Sequence, residues 1–370
     1  MERAGTLSVG LLLLISAACT STPEAAPADA PSAPPPTGET IVFNRVTPES
    51  WAVYRLDLGT GDEQQIREVE EGVGLSPDGS RFLGAWPMPD GRIGPATFDV
   101  DGSGYSPLPI DDPTLQLGYV TWSPDGTRVL AQGWDDTDPS RGGLYTFRST
   151  DGGGLMRVTD PGDPPHDYPV AYSPDGSRIL FFREVKPYDH SGPMDVFVVR
   201  SDGSGAVLLN APGTTSGQEA QSWSPDGRQV AFVATRGLWS FDGPNAVFVV
   251  DADGGTARRI TPWGVTLRAA WSPDGKWIAY DAESPTSSRE VFIVHPDGTE
   301  RTNITSSDDR SWAWAPVWSP DSSGLLFVRF AADGGDPNLW IVNVDGTDMH
   351  QVTDGPADEY GAYRWLPSDA

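Results

Sequence analysis

A near-copy of the segment WSPDGTRVLA occurs six times in this chain of 370 residues. Successive copies are separated by 47, 50, 51, 48 and 47 residues. The serines of the shared Ser-Pro-Asp-Gly core are Ser76, Ser123, Ser173, Ser224, Ser272 and Ser319. A period near fifty residues is typical of repeat arrays. Each period contains short apolar runs, rich in β-branched and aromatic residues and bounded by Gly, Pro, Asp and Ser, which predicts four strands and no helix.

The conserved spacing of the core within each copy favours a structural role over a chemical one. Pro presets the backbone for the first corner of a type I turn, Asp suits the second corner, and Gly takes the left-handed position before the next strand. A large apolar or aromatic residue precedes every copy, such as Trp122 and Trp318, and we expect it to pack between adjacent repeats. The sixth copy reads Asp321-Ser322-Ser323-Gly324, which predicts a longer turn.

The succession of Trp-Ser-Pro-Asp-Gly, an apolar strand, VFVVDADGG and RIT resembles the TolB-type repeat of WD40-like β-propellers, from about Ile41 to the end. The resemblance implies an all-β propeller with the Trp-bearing strand innermost in each blade. TolB itself has an α/β domain before its propeller, whereas here a Pro/Ala-rich segment precedes Ile41. The role of TolB in the envelope is therefore not carried over.

The two ends of the chain predict the number of blades. IVFNRV, WAVYRLDLGTGD and EQQIREV, from Ile41 onward, supply second, third and fourth strands without a first. AYRWLPSD places Trp365 where the other copies have Trp, 47 residues after Trp318. The sequence therefore predicts a seven-bladed β-propeller of four-stranded blades, with the first blade closed by the C-terminal strand, which removes exposed strand edges.

The N-terminal segment predicts export. An apolar run from Leu7 to Ala18 is too short to span a bilayer but suits a signal peptide over residues 1–18. The single cysteine, Cys19, follows it, which favours a lipidated cysteine; an ordinary secretory signal is the alternative. Residues 19–40 then form a tether and residues 41–370 the propeller. We expect an extracytoplasmic lipoprotein, attached to the membrane only through its lipid and monomeric.

Composition and missing motifs exclude several functions. The net charge of −27, from 52 acidic and 25 basic residues, disfavours nucleic acid as a partner. No Gly-x-Ser-x-Gly elbow, phosphate loop or dinucleotide fingerprint occurs, so no cofactor is expected. His166 and His190, with Asp167 and Asp189 beside them, have no known metal-ligand spacing, and solvated loop residues are the preferred interpretation.

The long connections, which vary between repeats, are expected on the face opposite the Ser-Pro-Asp-Gly turns, where a repeat protein usually binds its ligand. Their acidic and aromatic residues suit a protein, peptide or glycan partner. The candidate binding residues are His166, Asp167, Tyr168, Gln218, Glu219, Arg268, Trp312, Trp314, Glu359 and Tyr360. The favoured function is a non-catalytic binding scaffold. The alternative is a propeller lyase or glycan-acting enzyme that uses His166, Glu219 and Arg268.

Overall fold

The computed structural model describes residues 40–46, 51–69, 73–160, 166–184, 194–236, 244–284, 289–306, 311–330, 336–355 and 363–366. The predicted signal peptide, Cys19 and all but the last residue of the tether lie outside this part of the chain. Within it, the structure is a succession of antiparallel β-strands with one 3-10 turn, Pro139–Arg141. The all-β prediction is confirmed. No helix among the described residues is long and apolar enough to cross a membrane.

The strands group in fours along the chain. The first group contains β1 (Thr40–Val46), β2 (Trp51–Asp57) and β3 (Glu63–Val69), and the last strand of the chain, β28 (Tyr363–Trp365), pairs with β1. The second group contains β4 (Gly74–Leu75), β5 (Arg81–Pro87), β6 (Ile93–Asp99) and β7 (Ser106–Pro107). The third contains β8 (Gln116–Trp122), β9 (Arg128–Trp134), β10 (Gly143–Arg148) and β11 (Met156–Arg157).

The remaining strands form two larger sheets, each of two groups. One sheet contains β12 (Asp167–Tyr172), β13 (Arg178–Glu184), β14 (Met194–Arg200), β15 (Val207–Leu208), β16 (Thr214–Trp223), β17 (Gln229–Arg236), β18 (Asn245–Asp251) and β19 (Arg258–Arg259). The other contains β20 (Ala269–Trp271), β21 (Ile278–Glu283), β22 (Arg289–Val294), β23 (Thr302–Asn303), β24 (Trp312–Trp318), β25 (Gly324–Phe330), β26 (Asn338–Asn343) and β27 (His350–Gln351). A single residue pair joins the two groups in each sheet: Met194 with Ser216, and Arg289 with Trp312.

The Ser-Pro-Asp-Gly turn uses its polar atoms internally. In the second copy the Gly126 N–H donates to the Ser123 carbonyl (2.9 Å), with Gly126 in the left-handed region at φ 70°. The Ser123 hydroxyl donates to Asp125 Oδ1 (2.6 Å) and accepts from the Arg128 N–H (2.9 Å). Asp125 Oδ1 also accepts from the Thr127 N–H (3.0 Å). The turn is therefore a hairpin device, as predicted.

The sixth turn is not longer, so that prediction is wrong. Ser322 takes the left-handed conformation that Gly has elsewhere (φ 64°), and its N–H donates to the Ser319 carbonyl at 3.0 Å. The Ser319 N–H pairs with the Gly324 carbonyl, the same spacing as in the other turns. The Ser322 hydroxyl accepts from the Asp274 N–H of the preceding turn (3.0 Å), which offsets the backbone strain.

The core lies between neighbouring groups of strands. Leu83 of β5 packs with Leu117, Val129 and Phe147 of the next group, all buried. The motif tryptophans add polar links between the groups. The Trp122 indole N–H donates to the Gly74 carbonyl (3.1 Å), and that of Trp318 donates to Ala270 (2.9 Å). This confirms the expected packing of these tryptophans between repeats.

Candidate functional site

One cluster of charged and aromatic residues lies at the strand ends remote from the Ser-Pro-Asp-Gly turns. Arg268 precedes β20, Asp281 lies near the end of β21, and Arg289 begins β22. Trp312 and Trp314 belong to β24, whose first residue pairs with Arg289. We call these five residues the Arg–Trp site. It brings together three of the predicted binding residues, Arg268, Trp312 and Trp314.

Arg289 lies at the centre of the Arg–Trp site. Its Nη1 is 3.4 Å from Asp281 Oδ2, and its Cζ is 5.9 Å and 5.7 Å from the ring centres of Trp312 and Trp314. The backbone N–H of Arg268 donates to Asp281 Oδ1 at 3.0 Å. The carboxylate thus holds the guanidinium against two indole rings, an arrangement that attracts the cation to the ring faces.

The burial of these residues is uneven. Asp281 is fully buried, the Arg289 side chain is 10% exposed, and Trp312 is 50% exposed. Burial raises the pKa of the Asp281 carboxyl, and the charges of Arg289 and Arg268 oppose that rise. Among the described residues, the buried Trp314 indole N–H has no hydrogen-bond partner. A buried donor without a partner favours an acceptor group of a ligand at this place.

Sequence reasoning missed Asp281 and Arg289, although the repeat contained a signal for the first. The residue nine positions after the motif serine is apolar in most copies: Ala85, Phe182, Val233 and Val328. It is polar in two, as Gln132 and Asp281. A polar residue at a core position of a repeat indicates a special role. Nothing local identified Arg289, because its role comes from a partner on another strand.

A second cluster contains the predicted residues His166, Asp167 and Tyr168. Asp167 is fully buried and accepts from Arg183 Nε (2.7 Å) and Nη2 (2.8 Å), so it belongs to a buried ion pair rather than a loop surface. Tyr168 is 6% exposed, and burial, with a smaller contribution from the Glu184 charge, raises its pKa to about 12. The ring of His166 lies 6.4 Å from that of Tyr168.

Tyr119, which sequence reasoning also missed, borders this second cluster. Its ring meets that of Tyr168 edge-on, at 5.6 Å and 88°. Tyr119 is 65% exposed and has φ 47°, an uncommon backbone conformation, next to a β-bulge in β8. Left-handed tyrosine is unusual enough to mark this position, but no sequence pattern predicts it.

The other predicted binding residues cannot be placed in either cluster. Gln218 and Glu219 lie in β16, but their side chains are outside the described residues, as are Glu359, Tyr360 and His190. In the described part of the chain, no three His, Cys, Asp or Glu side chains gather to hold a metal ion. We therefore assign no metal ligands.

No protein-family model matches the chain. The uncharacterized protein Atu1656 of Agrobacterium fabrum is 27% identical over 260 residues, covering 66% of this chain and 80% of that protein. Dipeptidyl-peptidase 5 of Porphyromonas gingivalis is 23% identical over 77% of this chain and 48% of its own length. The chain therefore spans about half of this peptidase.

Solved structures define the fold. A candidate TolB from Agrobacterium tumefaciens superposes with a TM-score of 0.51 at 19% identity, covering 90% of this chain and 99% of that one. An oligogalacturonate lyase in complex with manganese has a TM-score of 0.60 at 17% identity, covering 82% and 85%. The fold is that of a TolB-like β-propeller.

The comparisons correct the favoured function. Sequence analysis favoured a non-catalytic scaffold, whereas the similar proteins with a named activity are a peptidase and a lyase. The scaffold interpretation is therefore wrong, and the enzyme alternative is the better supported one. The sequence alone favoured a scaffold because it contains no catalytic motif and no cluster of histidines at the predicted channel.

Proposed function

We propose that this chain is a propeller enzyme that acts on a carboxylate-bearing glycan, with the Arg–Trp site as its binding centre. The observation that carries the proposal is the Arg289 guanidinium, held by the buried Asp281 and flanked by Trp312 and Trp314. Arginine matches a carboxylate through paired N–H donors, and the half-exposed Trp312 offers a flat apolar surface for a sugar ring.

The chemistry follows from where the arginine would meet the substrate. In a β-elimination, a base takes the proton from the carbon next to the uronate carboxylate, a C=C bond forms, and the C–O bond to the leaving sugar breaks, with a proton returned to the leaving oxygen. A guanidinium bound to the carboxylate would stabilise the negative charge that develops as the proton leaves. The structural similarity to an oligogalacturonate lyase supports this class of reaction. Arg268 adds a second positive charge to the same cluster, since its charge opposes the raised pKa of Asp281.

The charge of the whole chain makes this local arrangement significant. A net charge of −27 repels an acidic polymer at long range. Screening by salt limits that repulsion to roughly 10 Å. Binding therefore depends on local positive charge, which the Arg–Trp site supplies through the Arg289 guanidinium beside the half-exposed Trp312.

The test is cleavage of polygalacturonate by the whole chain, measured through the ultraviolet absorbance of the unsaturated product. Arg289→Lys keeps the charge beside Asp281 but loses the planar fork, so we expect activity to fall by about tenfold or more at nearly unchanged stability. Trp312→Ala, at an exposed position, should raise KM with little effect on stability. Arg228→Ala removes an exposed arginine of the turn face and serves as the control.

A peptide substrate is the second candidate, favoured by the similarity to dipeptidyl-peptidase 5. A peptide C-terminus carries a carboxylate that Arg289 would bind in the same way. A peptide panel assayed with the same variants separates the two. Peptide cleavage that depends on Arg289, without polygalacturonate cleavage, would select this candidate, and cleavage of neither by the wild type would refute an enzymatic role for the site.

We also propose that the seven groups of strands are the blades of a closed propeller, with β28 completing the first blade. Three pairs join β28 to β1, including Ile41 with Trp365. Ile41 and Phe43 share a buried cluster with Leu326 and Ile341 of the last group. Both observations support closure of the chain on itself.

For location and assembly, we propose a monomeric, extracytoplasmic protein that is lipidated at Cys19. The sequence from Leu7 to Cys19 supports this proposal. Mass spectrometry of membrane-extracted protein would detect the lipid. A secreted product that lacks Cys19 would leave an ordinary signal peptide instead.

A further inference from the structure

Trp263 lies in contact with two arginines that do not belong to the Arg–Trp site. The Cζ atoms of Arg236 and Arg259 are 4.5 Å and 5.2 Å from its ring centre. Arg236 ends β17, Arg259 lies in β19, and Trp263 follows in the segment that leads to β20. Asn245 and Gly264 exchange backbone hydrogen bonds of 2.7 Å and 2.9 Å, which fix this segment beside β18.

The two arginines differ from most others in this acidic chain. Arginines commonly lie within 4.0 Å of a carboxylate here, as do Arg45, Arg92, Arg141, Arg148, Arg178 and Arg183. Across the described ranges, Arg236 and Arg259 have no carboxylate partner; each contacts the Trp263 ring. The two positive charges beside one ring repel each other, so each arginine would be stabilised by a negative partner. The chain has 52 acidic residues that could supply such a partner, yet neither arginine has one among the described residues.

The indole N–H of Trp263 adds an unsatisfied donor. It is buried and, among the described residues, has no hydrogen-bond partner. Guanidinium groups present only donors. The cluster of Arg236, Arg259 and Trp263 therefore offers donors and positive charge, and an oxyanion is the chemical group that satisfies both.

We infer that Arg236, Arg259 and Trp263 form a second anion subsite, which takes a carboxylate or sulfate group of an acidic polysaccharide. The identity of the polymer rests on the proposed function, whereas the charge of the subsite does not. Trp263 and Arg268 belong to the same connecting segment and are five residues apart. Even fully extended, five residues span at most about 18 Å, so one extended polymer can contact both sites.

The experiment compares binding of two polyanions, long oligogalacturonate and dextran sulfate, with neutral dextran as the uncharged probe. The variants are Arg236→Ala with Arg259→Ala, and Arg228→Ala with Arg200→Ala as a control that removes two arginines from the other face. We expect the first double variant to bind a polyanion about tenfold more weakly and with a weaker salt dependence, and the control to bind like wild type. Galacturonate monomer, bound through Arg289, should be unaffected by either.

Each outcome decides between the two proposals. Loss of dextran sulfate binding in the Arg236→Ala and Arg259→Ala double variant supports the subsite. If the wild type binds dextran sulfate but not oligogalacturonate, the proposed glycan substrate is refuted and the subsite is not. Oligogalacturonate binding that depends on Arg289 but is equal in both double variants overturns the subsite alone. No binding of either polyanion by the wild type overturns the subsite and the acidic-glycan proposal together.

Discussion

The buried pair of Asp281 and Arg289 gives a prediction whose magnitude follows from the structure. Replacing Arg289 by Met removes the charge that faces Asp281 at 3.4 Å and leaves a fully buried carboxylate behind. Breaking a buried ion pair from one side typically costs about 3–5 kcal/mol, because the remaining charge is uncompensated. Solvent does not screen this pair appreciably, since the arginine side chain is only 10% exposed. We therefore expect Arg289→Met to be strongly destabilising near neutral pH.

Urea denaturation measures this cost. With a slope of about 3 kcal/mol per molar for a chain of this size, the midpoint should fall by about 1 M or more. The penalty should shrink as the pH is lowered. Burial raises the pKa of the Asp281 carboxyl in the folded state. A carboxyl with a raised folded-state pKa contributes fully to stability below its unfolded-state pKa, and this contribution is lost as the pH rises through its folded-state pKa.

A double variant isolates the cause. Val233 and Val328 occupy the position of Asp281 in other copies of the repeat, where both are fully buried. Asp281→Val together with Arg289→Met should therefore recover most or all of the lost stability, since an apolar pair often replaces a buried ion pair without cost. It should not recover activity. If Arg289→Met alone left the midpoint unchanged at neutral pH, the reasoning about the buried carboxylate would be refuted.

Further predictions concern the fold. Ser322→Ala should lower the free energy of unfolding by about 1–2 kcal/mol, because it removes the hydrogen bond from the Asp274 N–H. Ser322→Gly should lower it by only about 1 kcal/mol, because glycine relieves the strain of the left-handed backbone at this position. If the two variants were equally stable in urea denaturation, the backbone at Ser322 would not be strained. Deleting residues 361–370 removes β28 and exposes the edge of β1, so the melting temperature should drop sharply; no change would count against closure. The free energy of unfolding should also fall as the pH drops below about 4. Hydrogen bonds from Ser123 to Asp125 and from Ser173 to Asp175 lower the pKa values of the two carboxyls, and the stability that comes from a lowered carboxyl pKa is lost on acidification. Urea midpoints measured across this pH range test the prediction.

The parts of the fold that could be predicted from the sequence are those that each repeat specifies locally. Four strands per period follow from short apolar runs and turn residues, and the roles of Ser123, Asp125 and Gly126 follow from turn chemistry. The sixth turn could not be predicted in the same way. Its shape depends on a hydrogen bond from Asp274 to Ser322, which joins two different repeats.

The candidate site was predicted less completely, for a related reason. Arg268, Trp312 and Trp314 were predicted because the segments between repeats vary from one repeat to the next, and the structure places them near Arg289 and Asp281. Asp167 was also proposed as a surface ligand, yet it is buried against Arg183 on the adjacent strand. Burial and ion pairing are set by strand register, and residue type alone does not give the register.

Residues that differ between equivalent positions of the repeat indicate where a ligand binds. Tyr119 and Ala315 lie three residues before a motif tryptophan, and both are left-handed, at φ 47° and 54°. Alanine in one copy shows that this backbone needs no large side chain, so the exposed ring of Tyr119 adds little to forming the bulge. Asp281 likewise stands where Val328 serves the core equally well, and it contributes through Arg289 rather than through packing. The fold does not require the exposed ring of Tyr119 or the guanidinium that Asp281 holds, and both lie at sheet ends away from the turns, so we expect a ligand to bind at these places.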